Sequence, residues 1–123
     1  MSTGNIAALF QHTDWSAITV ETLGPGITRQ MIWGDRLMVC RLTIGAFVVT
    51  PVHSHPHEQI TLVERGRVEF IVEGQSRIAG AGDLLVFPSN CQHGATMLDE
   101  EVVLIDIFSP PREEFLEALA SRS

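Results

Sequence analysis

The sequence predicts an all-β chain, a β-sandwich or barrel followed by one short C-terminal helix. Three observations carry that expectation. Between about Leu37 and Phe108, short apolar and β-branched runs recur at close intervals, separated by turn signals rich in glycine and proline. Val68, Phe70 and Val72 alternate with Arg67, Glu69 and Glu73, the period of a strand with one buried and one wet face. Ser109-Pro110-Pro111 followed by Glu113 and Glu114 has the composition of a helix start. A length of 123 residues suits one domain with a substantial core.

Residues 1–36 hold Trp15, Ile18, Val20 and Trp33 around Gly24-Pro25-Gly26, and read as extended arms or strands of the same domain. Such an arm often pairs with a neighbouring subunit, which makes a homodimer the expected assembly. Residues 37–108 form the core. Met38 to Thr43 and Phe47 to Thr50 are expected strands separated by Ile44-Gly45. After the Val68–Val72 strand, Glu73-Gly74-Gln75 turns the chain and Ser76-Arg77-Ile78 pairs back. Gly80 to Asp83 turns again, Leu84 to Phe87 is a strand ended by Pro88, and Val102 to Phe108 is the last. Residues 109–121 are the expected helix, capped by Ser109, with Phe115, Leu116 and Leu119 as its apolar stripe.

Composition narrows the partners. Eight basic against fifteen acidic residues give a net charge of -7, and no Lys/Arg cluster occurs, which argues against nucleic acid and anionic membranes. Met1 to Phe10 lacks a basic n-region, and no apolar run approaches the ~18 residues of a membrane span. Two cysteines, Cys40 and Cys91, make no disulfide framework. A soluble cytoplasmic protein is the expectation.

The chemistry is concentrated in His53-Ser54-His55-Pro56-His57-Glu58-Gln59. On a strand, residues two apart share a face, so His53, His55 and Gln59 would converge on one point, with a divalent metal as its occupant. His93 follows downstream of Gly82-Asp83 and Pro88. His57 has the same parity, but Pro56 is expected to end the strand and turn His57 away from the ligand set.

These residues resemble the cupin family. His53-x-His55 followed three residues on by Gln59, then Gly66, is similar to the first cupin motif. Gly82, Pro88, Asn90 and His93 have the spacing of the second. The resemblance implies a jelly-roll β-sandwich that binds one divalent transition metal through His53, His55, Gln59 and His93. Zinc, nickel, cobalt, manganese and iron all suit such donors. Gln59 stands where most cupins have glutamate, Asn90 where a glycine is usual and Met97 where an asparagine is usual. A neutral amide in place of a carboxylate leaves the full +2 charge on the metal, which favours Lewis-acid chemistry on an anion over oxygen activation.

Asp106 interrupts the apolar run Val102–Phe108 and shares its face with Val102, Leu104 and Phe108. A carboxylate there is costly unless paired or functional. One reading is an Asp106–Arg112 pair that pins the helix to the strand. The other comes from a closer resemblance, running from about Leu42 to Leu116, to the small cupins of pectin and alginate catabolism of the KdgF type. That resemblance implies conversion of 4,5-unsaturated uronates to linear 4-deoxy-5-keto-uronates, with Asp106 and Arg112 as catalytic residues. Arg112 would clamp the substrate carboxylate through its planar fork, and Phe108 would pack on the sugar ring or serve the core. Arg41 would be a paired structural arginine or face the pocket, and Cys91 a semi-buried thiol or a neighbour of the metal. The rival functions are another metal-dependent cupin reaction, such as that of a dioxygenase, and a non-catalytic carboxylate- or sugar-binding module.

Overall fold

The structure, a computed structural model, describes residues 10–121. Residues 1–9 of the expected N-terminal arm, and with them most of the segment searched for a signal peptide, lie outside the described residues, as do residues 122 and 123. Ten strands are described: β1 (Glu21–Gly24), β2 (Ile27–Trp33), β3 (Met38–Ile44), β4 (Val49–His53), β5 (Glu58–Arg65), β6 (Arg67–Val72), β7 (Gln75–Gly80), β8 (Leu84–Phe87), β9 (His93–Met97) and β10 (Val102–Ser109). One helix, α1 (Glu113–Ser121), follows them.

The strands form two antiparallel sheets, one ordered β1-β2-β3-β10-β5-β8 and the other β4-β9-β6-β7. Their inner faces meet in a core built from both. Ile44, Val63, Phe87 and Leu104 come from the first sheet and Val68, Phe70, Ala95 and Met97 from the second. This is the two-layer solution expected of strands that alternate buried and exposed residues. In β5 the alternation buries Gln59, Thr61 and Val63; in β10 it buries Leu104, Asp106 and Phe108. Their register sets Asp106 opposite Thr61 and Phe108 opposite Gln59, so polar groups on two strands share one row of the inner face.

The turn expected at Glu73-Gly74-Gln75 is a two-residue loop of Glu73 and Gly74, both at positive φ, the twist that suits antiparallel neighbours, and Gln75 already pairs with Val72 in β7. Gly66 (φ +82) joins β5 to β6, where an added Cβ would lie 2.5 Å from the Glu101 carbonyl oxygen. Glycine is required there for space as well as for conformation.

Two expectations are corrected, and the N-terminal segment, expected as an arm or as strands of the same domain, takes the second form. The strand placed at Phe47–Thr50 begins only at Val49, because Phe47 has φ 63 and turns in an exposed loop. The N-terminal arm pairs within its own chain: β1 and β2 form a hairpin around Gly24-Pro25-Gly26, and β2 pairs with β3 from Ile27–Ile44 to Trp33–Met38. Ser109 ends β10 and donates its hydroxyl to the Arg36 carbonyl, so it does not cap the helix. The first helical residue is Glu113, and the Arg112 carbonyl accepts from the Phe115 and Leu116 N–H groups. Two successive prolines explain the delay, since a residue preceding proline is driven out of the α region. Phe115, Leu116 and Leu119 then pack on Met31, Met38, Cys40 and Phe108, as the apolar stripe requires.

Candidate metal centre

The histidines come together by a route other than strand alternation. β4 ends at His53; His55 and His57 lie in the crossing from the four-stranded sheet to the six-stranded one, and Gln59 is the second residue of β5. His53 pairs directly with His93, the first residue of β9. The β4–β9 register shifts between Thr50 and His53, a bulge that re-aims the strand end. Gly94 allows it: a Cβ there would lie 2.9 Å from the Val52 nitrogen and 3.0 Å from the Thr50 carbonyl. The His55 loop is held from the other side, where the Asn90 N–H donates to the His55 carbonyl at 2.8 Å and Ser89 Oγ donates to the Pro56 carbonyl at 2.6 Å. Asn90 has φ 64, the left-handed conformation that glycine or asparagine adopts most readily.

Each converging imidazole has one nitrogen committed to the backbone. Nδ1 of His53 lies 3.0 Å from the Pro51 carbonyl, Nδ1 of His55 3.0 Å from the His57 carbonyl, and Nδ1 of His93 2.8 Å from the Cys91 carbonyl. A carbonyl only accepts, so each Nδ1 carries the proton and each Nε2 keeps its lone pair. Ligand atoms of the three rings lie within 4.8 Å of one another. Nε2 of His93 is buried with no hydrogen-bond partner. Burial, with the Arg112 guanidinium nearby, lowers the His55 pKa to about 4; burial likewise lowers that of His93. Both rings are neutral at neutral pH, the form in which imidazole binds metals.

Gln59 completes the ring and links it to an acid. Its Oε1 lies 3.1 Å from Nε2 of His55, and its Nε2 donates to Thr61 Oγ1 at 2.9 Å. Thr61 in turn donates to Asp106 Oδ1 at 2.7 Å. Asp106 is buried, and desolvation pushes its pKa up to about 6 even though the hydrogen bonds from Thr61 and Gln59 and the charge of Arg112 oppose the shift. The donor set fits a divalent ion: three Nε2 lone pairs and one amide oxygen converge, two acceptors face each other, and a buried nitrogen has no partner of its own.

A cavity of about 300 Å³ opens beside these groups, lined by His53, Gln59, His93, Asp106, Phe108 and Arg112 together with apolar side chains deeper in the sandwich. At its rim the Arg112 guanidinium lies between Phe108 and Phe115, 5.0 and 4.2 Å from the ring centroids. Its Nε and Nη2 each donate to a Glu114 carboxylate oxygen at 3.2 Å.

Residues 38–108 match the family described as "Cupin domain". The chain belongs to the cupin family. It is 41% identical to the pectin degradation protein KdgF of Dickeya dadantii (strain 3937) over 98 residues, 78% of this chain and 89% of that protein. Among solved structures it resembles KdgF from Halomonas sp., with a TM-score of 0.81, 30% identity, and coverage of 86% of this chain and 98% of that one. An RmlC-like cupin from Shewanella frigidimarina NCIMB 400 superposes with a TM-score of 0.79 at 32% identity, over 84% of this chain and 93% of the other.

Within this cupin, His53, His55, Gln59 and His93 are brought together, and Asp106 reaches them through Thr61 and through Gln59 itself. Phe108 is 3% exposed and stacks edge-on against His55 and Phe115. The expected Asp106–Arg112 ion pair does not form: Arg112 is bonded to Glu114 and Asp106 to Thr61. His57 stays outside the three-histidine cluster; its carbonyl holds His55 in place. Arg41 lies away from the cavity, paired with Glu64 at 3.1 Å. Cys91 is a buried core thiol whose carbonyl orients His93. Three contributors escaped the sequence reading. Thr61 had a visible signal, a polar residue at the buried parity between Gln59 and Val63. Gly94 had one too, as a glycine directly after the candidate ligand His93. Arg29 had none: it is buried in a pair with Glu21 and lies 4.1 Å from the Phe115 centroid.

Proposed function

We propose that this cupin is a metal-dependent enzyme that converts 4,5-unsaturated uronates to linear 4-deoxy-5-keto-uronates by ring opening and ketonisation. The observation that carries the proposal is one cavity lined by the imidazole face, by the buried acid Asp106 and by the Arg112 fork. The kinship with KdgF, a pectin degradation protein, supports the same substrate class.

The reaction is an isomerisation. The anomeric hydroxyl loses a proton as the ring C–O bond breaks, an aldehyde and an enolate form, and the enolate carbon takes up a proton to become CH2. His53, His55, Gln59 and His93 would hold the divalent ion, which supplies Lewis acidity for oxygens that gain negative charge. Asp106 is the in-cavity group placed to accept the first proton and deliver the second. Thr61 keeps one of its oxygens occupied and the carboxylate in place. Arg112 binds the substrate carboxylate, exchanging the Glu114 carboxylate for it. Phe108 offers a ring edge to the sugar at the cavity wall. Because every redox state is conserved, the protein needs no oxidant.

The test is to mix the protein with a lyase-generated unsaturated uronate and follow loss of the enol-ether absorbance. Wild type should be faster than buffer, and Asp106→Asn and Arg112→Ala should each be slower than wild type. A wild-type rate equal to buffer would end the proposal.

We further place the protein in the cytoplasm as a homodimer. Among the described residues no helix is long and apolar enough to cross a membrane. The outer face of the six-stranded sheet carries a row of aligned apolar residues, Ile32, Val39, Ile107, Ile60 and Val86. Antiparallel sheets usually turn polar residues outward, so such a row suits a twofold contact with a second copy. Light scattering should give twice the chain mass, and Val86→Glu should reduce it; a monomeric wild type would refute the dimer.

A further inference from the structure

We propose that Thr61 is a positioning residue that fixes which end of the Gln59 amide faces the metal. The inference rests on the reading of His53, His55, Gln59 and His93 as the metal site. Thr61 is wholly buried on β5, in register with Asp106 on β10, and its hydroxyl bridges Gln59 and Asp106 beside the hydrogen bond between those two residues.

A hydroxyl has one proton and two lone pairs. An ionised Asp106 can only accept, so the Thr61 proton goes to Asp106 Oδ1 at 2.7 Å. What Thr61 then offers Gln59 is a lone pair, and the neighbour that can use it is the amide NH2, at 2.9 Å. That choice turns the amide oxygen toward Nε2 of His55, 3.1 Å away, where it serves as a ligand. The opposite orientation would set the amide oxygen against the Thr61 oxygen and aim the NH2 at the imidazole lone pair. An amide–imidazole hydrogen bond of that kind competes with the metal for Nε2. Asp106 thus acts on the metal site through the Thr61 hydroxyl as well as through its own hydrogen bond with Gln59, and both favour the same end of the amide.

A glutamate at position 59 has two equivalent oxygens and no wrong end to present. The orienting role of Thr61 therefore disappears in that background, whereas a packing role would remain. This difference separates positioning from structure.

The experiment is a double-mutant cycle read by cobalt(II) affinity and by the visible spectrum of the bound ion. Thr61→Val in the native background should weaken cobalt binding about 10- to 100-fold, the usual effect of losing a group that orients a ligand. Thr61→Ser should restore it. In the Gln59→Glu background, Thr61→Val should cost less than about threefold. Equal losses in both backgrounds, or no loss in the native one, would overturn the proposal. If wild type binds no cobalt, the metal-site reading itself fails and takes this inference with it. Should the valine variant fold poorly, Thr61→Ala in the same cycle carries the same expectation.

Discussion

Nε2 of His55 and Oε1 of Gln59 face each other at 3.1 Å, acceptor against acceptor. The Nδ1 proton of His55 is taken by the His57 carbonyl and the Gln59 NH2 by Thr61, so neither partner has a proton to give the other. Such a contact becomes favourable when a cation sits between the lone pairs. Gln59 would bring oxygen without charge, so a bound ion would keep both of its positive charges for the proposed substrate.

Gln59→Glu should therefore bind metal more tightly and turn over unsaturated uronate more slowly, by about tenfold or more. Metal competition titrations and steady-state kinetics measure the two effects separately. A glutamate variant with undiminished kcat would show that the metal's undiluted charge does not matter.

Asp106 gives the metal-free protein a pH signature. Its folded pKa, about 6, lies above the ordinary value of 3.8. The folded state therefore holds more protons than the unfolded state between those values, and this group's contribution to stability falls as pH rises from about 4 to 6. His55, lowered to about 4, works in the opposite direction over pH 4 to 6.5. Asp106→Asn removes only the falling contribution while leaving an oxygen for Thr61. Relative to wild type, the metal-free variant should gain stability as pH rises, by up to roughly 3 kcal/mol. Denaturant unfolding at pH 4 and pH 6.5 checks it; a difference independent of pH contradicts the assignment.

Much of this was legible in the sequence, and the exceptions have physical causes. The strand alternation in Val68–Val72 and the Glu73-Gly74 turn depend on local chemistry, and both are found where that chemistry puts them. The four candidate ligands do converge, but not for the reason the sequence suggested. Alternation along one strand was expected, yet His53, His55 and Gln59 occupy a strand end, a loop and the next strand. Both routes bring them together, because a chain crossing between two sheets at one end of a sandwich also converges. Non-local partners were the hidden part. Glu114 takes Arg112, and Thr61 takes Asp106 across a register that no local pattern encodes.

Gly94 is the position where backbone geometry most directly controls the site. Gly94→Ala must push the β4 backbone, since the contacts at 2.9 and 3.0 Å are to main-chain atoms of Val52 and Thr50. We expect a loss of about 1–3 kcal/mol from overpacking, and weaker metal binding because His53 moves with β4. Thermal unfolding and cobalt titration would show both. An alanine variant with native metal affinity would separate the bulge from the site.

Glu114 occupies the fork that the substrate carboxylate is proposed to use. Glu114→Gln removes the competing charge, and KM for the uronate should fall several-fold with little change in kcat. An increase in KM would mean that Glu114 holds Arg112 in its working position instead.

The proton path through Asp106 is the central claim, and the reaction in D2O tests it most directly. NMR of the early product reports where deuterium enters the new CH2 carbon. Delivery from one fixed carboxyl group predicts a single labelled diastereotopic position in wild type, and loss of that selectivity in Asp106→Asn. Equal labelling of both positions by wild type would mean that the carbon is protonated by bulk solvent, and would contradict the account.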